Sequence, residues 1–273
     1  MTSRAVILAR GLGTRMRREA DGAVGLDAAQ TAAASAGHKA MMPVGRPLIE
    51  HLLTAVADAG LRDAVLVIGP EHTDIRAHFA AALAEEPRRR IAVRFAEQAE
   101  PRGTADAVLA ARDACGEAPF VVLNGDTWYP PEAIAAVAQA PAPAFGAFDA
   151  EALVRLSNIP AERVLAFALC DVAPDGGLRD IVEKPAADHP LALASRRAVS
   201  MNLWHFGPEI FAALARVTPS PRGELELVDA ARGVLRSGAR VQAVPLATGV
   251  LDLSTRGDVA SVAARLAGRP VAW

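Results

Sequence analysis

Short apolar runs rich in β-branched residues recur through the first half of the chain, at Ala5–Ala9, Ala64–Ile68, Ile91–Phe95 and Phe120–Leu123. Runs this short, bounded by polar residues, predict buried strands. Between them apolar positions return at helical spacing over Leu48–Ala59, Thr73–Ala84 and Thr104–Ala114. Strands alternating with helices predict a mostly parallel sheet covered on both faces, an α/β, Rossmann-like three-layer α/β/α fold. The second half is more mixed. Strands are predicted at Arg163–Asp171, Leu178–Glu183, Ser200–Phe206 and Arg240–Pro245, and helices at Glu209–Ala215, Leu225–Ser237 and Arg256–Ala267. These extend the central mixed sheet as a β-rich lobe. Arg17–His38 and Ala186–Ala198 read as loops. No internal repeat is present, and no hexapeptide repeat of a left-handed β-helix. The predicted organisation is one domain over 1–273, with halves 1–140 and 141–273 and no C-terminal β-helix domain.

In such sheets ligands sit beyond the carboxyl ends of the strands. The first strand runs into Gly11-Leu12-Gly13-Thr14-Arg15. Glycines there let backbone N–H groups approach phosphates, and an arginine offers paired donors. Taken alone, the segment is equally well an ordinary strand-end turn. Asn124-Gly125-Asp126 follows another strand, where a carboxylate suits Mg²⁺ shared with phosphate oxygens or, more commonly, a turn. Glu183-Lys184-Pro185 closes a third strand and reads as a sugar-phosphate contact or an exposed ion pair. Leu251-Asp252-Leu253 sets a carboxylate in an apolar run, which calls for a partner such as a metal, or for a helix to cap.

Composition narrows the classes. A net charge of −2 gives no basis for nucleic acid or an anionic membrane as partner. Cys115 and Cys170 lie far apart without metal-binding spacing, which fits a reduced, cytoplasmic setting. No apolar stretch approaches the roughly 20 residues of a membrane span. The six histidines show no metal-ligand spacing. Of 29 basic residues only Lys39 and Lys184 are lysines. A lysine that persists among so many arginines is wanted for its compact ammonium.

The order of the motifs is more specific than any one of them. Gly-x-Gly-Thr-Arg, then Lys39 before Ala-Met-Met-Pro-Val, Gln98–Ala107, Asn-Gly-Asp, Glu-Lys-Pro, Gly223-Glu224-Leu225-Glu226-Leu227 and Leu-Asp-Leu follow in sequence. Over nearly the whole chain this resembles the sugar-1-phosphate nucleotidyltransferase (nucleotide-sugar pyrophosphorylase) family. Arg102–Val108 and Ser200-Met201 resemble ADP-glucose pyrophosphorylases; Arg222–Leu227 resembles glucose-1-phosphate thymidylyltransferases; Gln98 with Gly103 resembles uridylyltransferases. The resemblance implies an Mg²⁺-dependent enzyme joining a nucleoside triphosphate to a sugar-1-phosphate, with release of pyrophosphate. It further implies that Gly11, Leu12, Gly13, Thr14 and Arg15 hold the triphosphate, and that Lys39 acts with Arg15 in the transfer. Gln98, Gly103 and Thr104 would meet the nucleotide's base side. Asp126 and Asp252 would hold the metal, and Glu183, Lys184 and Asn202 the sugar phosphate. UTP or dTTP is favoured by Gln98 and ATP is left open by Arg102–Val108; a homo-oligomer is compatible. The chain's only lysines fall on two family positions, a coincidence expected about once in 400 random placements if lysine and arginine exchange freely on surfaces.

Four departures stand out. Arg15 and Lys39 are 24 positions apart, beyond the family's usual spacing, so Arg17–His38 reads as an insert, a mobile helical lid or a device with another use. His38 replaces the usual proline before the lysine, and Arg10 stands where a small residue is expected. Asn202 replaces a glycine against the sugar, while Val250 and Ser254 replace a tryptophan and a glycine around Asp252. Leu156–Val164 replaces a segment that often carries Tyr-Gly. Together these imply an unusual acceptor, a modified sugar or cyclitol phosphate. Two other classes remain: a catalytically silent, ligand-sensing relative, and a glycosyltransferase of similar topology, which would want an Asp-x-Asp motif.

Overall fold

The computed structural model describes residues 2–18, 25–86 and 89–273. Its strands are β1 (Arg4–Leu8), β2 (Pro43–Val44), β3 (Arg46–Pro47), β4 (Asp63–Ile68), β5 (Ala92–Glu97), β6 (Phe120–Asn124), β7 (Thr127–Trp128), β8 (Ala144–Asp149), β9 (Ala168–Val172), β10 (Leu178–Glu183), β11 (Ala198–Phe206), β12 (Gln242–Leu246) and β13 (Leu251–Asp252). The main sheet has the order β10-β9-β11-β6-β1-β4-β5, with β8 on β11 and β12 on β8. From β6 to β5 every pairing is parallel. β11 runs against β6, β8 and β9, and so joins the parallel half to the mixed half. β2 pairs with β3 and β7 with β13, both antiparallel.

Alternate residues of the central strands feed two cores. Ala5, Ile7, Ala64, Leu66, Val121 and Leu123 join one, with the helix Leu48–Asp58. Val6, Val65, Val67, Phe120 and Val122 join the other, with the helices Thr104–Ala110 and Leu227–Arg236. Both faces are therefore buried, which is why these strands read as continuous apolar runs. The result is an α/β three-layer fold around a mixed, largely parallel sheet.

The structure corrects several sequence-based boundaries. Residues Ala161–Ala166 form a 3₁₀ helix after Pro160, and the strand expected from Arg163 begins only at Ala168. The helix expected over Thr104–Ala114 breaks at Ala111 into two. The expected loop Arg17–His38 contains a helix, Ala28–Ala36, capped by Asp27 through a capping box with Gln30 and closed by Gly37 in a left-handed conformation. Residues 19–24 of that insert lie outside the described residues. In Ala186–Ala198 a short helix occupies Pro190–Leu193. Strand β8 and the helices Pro131–Gln139 and Ala150–Leu156 add elements that the hydrophobic pattern does not announce.

Candidate active site

β1 and β6 lie side by side in parallel register, Leu8 opposite Asn124, so both following loops open on the same edge. Gly125 donates its N–H to the Leu8 carbonyl at 2.8 Å, and a Cβ on it would meet that same oxygen at 2.8 Å. Only glycine lets the two loops approach so closely. Gly13, at φ +59°, abuts the Gly37 backbone, where a Cβ would come within 2.6 Å. The insert is thus pinned to the loop. Arg17 donates to the Ala36 carbonyl, and buried Arg256 donates to the Met16 carbonyl at 2.8 Å and to Ser35 Oγ at 3.3 Å.

The loop residues Gly11, Leu12, Gly13, Thr14 and Arg15 line one cavity of about 350 Å³ together with Lys39, Gln98, Gly103, Thr104 and Asp126. Lys39 opens a 3₁₀ turn directly after the insert. Its Nζ donates to Asp126 Oδ2 at 2.9 Å, with the lysine side chain only 11% exposed. Arg15 is exposed at the cavity.

Asp252 lies just behind this edge, since β13 pairs Asp252 with Thr127, the residue after Asp126. Its carboxylate is buried and bound by Ser254 Oγ at 2.7 Å and by the Arg163 guanidinium. Burial, and then the Asp126 charge, hold the Asp252 carboxyl above the usual carboxylate range. Asn158 clamps the Asp252 backbone from both sides, at 2.7 and 2.8 Å. Asp252 does not cap the helix that follows, because Asp258 Oδ2 accepts from the Ser254 and Thr255 N–H groups instead. Asn158, Arg163 and Asp258 are site residues that the sequence does not mark. The only signal for Asn158 and Arg163 is that Leu156–Val164 departs from the family's pattern, and Asp258 has none.

Opposite the loop, Gly103, at φ +127°, lies so close to Leu225 that a Cβ would sit 2.5 Å from its carbonyl oxygen. Leu225 N–H donates to Arg102 O at 2.7 Å, Ala105 N–H to Leu225 O at 2.8 Å, and Leu227 N–H to Thr104 Oγ1 at 2.9 Å. Two motifs more than a hundred residues apart are therefore one unit. The buried Gln98 side chain donates to Gly103 O at 3.1 Å and to Asp106 Oδ2 at 2.8 Å.

Glu183, Lys184 and Asn202 are not drawn into the first cavity. Glu183 and Lys184 line a second one, of about 1000 Å³, with Arg222 and Glu226. Arg222 binds Glu226 tightly and stands 3.7 Å from Glu183. Burial, then the charge of Glu226, raise the Glu183 carboxyl. Lys184 has φ +46°, and its Nζ stands 3.9 Å from Glu183, 45% exposed. Asn202 adopts φ +56° where β11 changes register between Ser200 and Trp204. That is a left-handed position, which asparagine tolerates better than most residues. The glycine expected there and the asparagine present thus answer the same backbone demand. Asn202 Oδ1 accepts from Trp204 Nε1 at 3.3 Å. The fully buried Tyr129 hydroxyl donates to Met201 O at 2.6 Å and accepts from Asn124 N–H at 3.3 Å.

Comparisons with known proteins bear on the family and the fold. Glucose-1-phosphate thymidylyltransferase of Streptomyces griseus is 30% identical over 243 residues, 88% of this chain and 59% of that protein. UTP–glucose-1-phosphate uridylyltransferase of Bacillus subtilis (strain 168) is 26% identical over 255 residues, covering 83% of this chain and 78% of the relative. The chain spans 59% and 60% of the length of two Streptomyces thymidylyltransferases it matches. A crystal structure of UDP-glucose pyrophosphorylase complexed with UDP-glucose shares the fold, with a TM-score of 0.73 at 19% identity, covering 99% of this chain and 100% of that one. The model of the family described as nucleotidyl transferase matches residues 33–262, most of the chain, beginning after the glycine loop, and the chain belongs to that family.

Proposed function

We propose that this protein transfers a nucleotidyl group from a nucleoside triphosphate to a sugar-1-phosphate or sugar-like phosphate, releasing pyrophosphate. The observation that carries the reading is the meeting of the glycine loop, Lys39 and Asp126 in one cavity, from three separate segments of the chain. The loop's N–H groups and Arg15 suit the triphosphate, and the Gln98–Gly103–Thr104 wall suits the base. UTP or dTTP is the favoured nucleotide. Glu183, Lys184 and Asn202 are assigned to the acceptor.

In this reading an acceptor phosphate oxygen attacks the α-phosphorus and pyrophosphate leaves. No side chain needs to form a bond to phosphorus. Catalysis rests on positioning and on cations facing the charge that builds on the phosphoryl oxygens. Lys39 is held for this by Asp126, and Arg15, exposed at the cavity, is assigned to the outer phosphates.

Among the described residues no group of three or more histidine, cysteine or acidic side chains is placed to hold a metal. A cage is not required for Mg²⁺, which takes one or two carboxylates and completes its shell with water and phosphate oxygens. Asp126 at the cavity and Asp252, set behind it by the β13–β7 pairing, are the two carboxylates that would hold it. When bound, Mg²⁺ neutralises phosphate charge. Cys115 and Cys170 are free and buried, which suits a reducing cytoplasm, and among the described residues no helix is long and apolar enough to cross a membrane.

The test is pyrophosphate release over a matrix of nucleoside triphosphates and sugar-1-phosphates with Mg²⁺. At least one pair should turn over, and Asp126→Ala should abolish it. Release unchanged in Asp126→Ala, or no triphosphate binding at all, would overturn the reading.

A further inference from the structure

Arg10 lines the cavity proposed for the nucleotide, at a position where the resemblance leads to a small residue. Its side chain is 7% exposed and lines the cavity beside Gln98. Nε donates to Glu71 Oε1 and Nη2 to Glu71 Oε2, both at 3.1 Å, and Nη1 donates to the Gln98 carbonyl. Gly69 makes the arrangement possible: a Cβ there would collide with both Arg10 Nε and the Glu71 carboxylate. Arginine, glutamate and glycine thus form a built unit between the ends of β1, β4 and β5.

Three of the five guanidinium N–H donors are used in this way. Two are left, and arginine has no acceptor to offer. Gln98 is complementary: its amide nitrogen is spent on Gly103 and Asp106, which leaves its oxygen as an acceptor. This wall therefore combines donors that cannot switch off with a carbonyl-type acceptor.

Resting on the nucleotidyl-transfer reading, we propose that Arg10 is a specificity-determining residue selecting a base with a carbonyl oxygen beside a ring N–H, as in uracil and thymine. A base presenting an exocyclic amino group there, as cytosine does, would set N–H against N–H and leave a donor unpaired. Unpaired polar groups in a confined site are costly, and a hydrogen bond from a charged donor changes affinity by about ten- to a hundredfold. The glutamate partner is part of the device, since it fixes the plane of the guanidinium.

Uridine and cytidine triphosphates differ on this edge only by carbonyl against amino and by the N3 proton, so they are the probes. Calorimetric binding of each to the full chain is compared in the wild type, Arg10→Ala and Glu71→Ala. The wild type should bind UTP at least tenfold more tightly than CTP. Arg10→Ala should weaken UTP about tenfold and leave CTP nearly unchanged, closing the gap. Glu71→Ala, which keeps the guanidinium but unpins it, should narrow the gap in part and serves if Arg10→Ala does not fold. Equal weakening of both nucleotides would make Arg10 a phosphate contact and overturn the proposal, as would an unchanged ratio in both variants. A wild type that binds no nucleotide would instead remove the nucleotidyl-transfer reading on which the proposal rests.

Discussion

The two lysines occupy contrasting settings. Lys39 is nearly enclosed, follows a capped helix and a pinned glycine, and reaches Asp126 at 2.9 Å. Lys184 is half exposed, sits on a left-handed backbone and is only loosely apposed to Glu183 at 3.9 Å. The difference teaches that the cavity proposed for the nucleotide holds its lysine fixed by a carboxylate, whereas the cavity proposed for the acceptor holds its lysine only loosely. A group that must stabilise developing charge benefits from being fixed in advance. One that captures a variable phosphate gains from a compact, mobile ammonium.

The sharpest way to break this contrast is to remove each lysine. Lys39→Ala should lower kcat for pyrophosphate release by about a hundred- to a thousandfold, with nucleotide affinity changed far less. Lys184→Ala should raise KM for the acceptor by about tenfold and spare nucleotide binding. Equal kcat losses in steady-state kinetics would erase the distinction. Gly13→Ala should cost about 1–3 kcal/mol in thermal unfolding, because it demands a left-handed backbone and collides with Gly37. It should also weaken triphosphate binding, which calorimetry would read.

The smallest effect concerns His72, which lies under His38 with ring centroids 4.9 Å apart and accepts from Gly69 N–H. Burial, then the neighbouring His38, lower its pKa from the ordinary 6.5. A histidine that the fold keeps neutral binds fewer protons folded than unfolded, so its contribution is present above pH 6.5 and fades as pH falls below it. Melting curves between about pH 7.5 and 5 should show a decline of a few degrees that His72→Gln reduces. An undiminished slope would mean that this corner plays no part in holding the segment ahead of Lys39.

What is legible in the sequence follows from burial. Strands sunk between two helical layers are apolar on both faces, so the pattern places β1, β4 and β6 to within a residue at each end; the edge strand β10 is placed as well, though it carries Arg179 and Asp180. Strand β8, Ala-Phe-Gly-Ala-Phe-Asp, and the alanine-rich helices Pro131–Gln139 and Ala150–Leu156 escape it, because alanine contrasts too little with its neighbours to mark a period. At the site, the positions carried by local motifs of the first half of the chain gather in one cavity. The pairings that lock them are invisible along the chain: Gly103 against Leu225, Gly13 against Gly37, and Arg163 on Asp252 each join segments distant in sequence. Asn202 is the instructive exception. The resemblance leads to a glycine there, which reads as room for the sugar, whereas the structure shows that the position demands a left-handed backbone.

One buried phenol has a mechanical consequence. Tyr129 ties the Asn124 backbone in the parallel half to the Met201 backbone in the other, across strands already hydrogen-bonded in one sheet. Neither bond can be surrendered to water in a fully enclosed position without a penalty. Bending along this seam would therefore break both phenol bonds as well as strand pairing. The phenol thus serves as a rivet between the parallel and the mixed parts of the sheet, and Tyr129→Phe, which removes both bonds while keeping the ring, isolates its contribution.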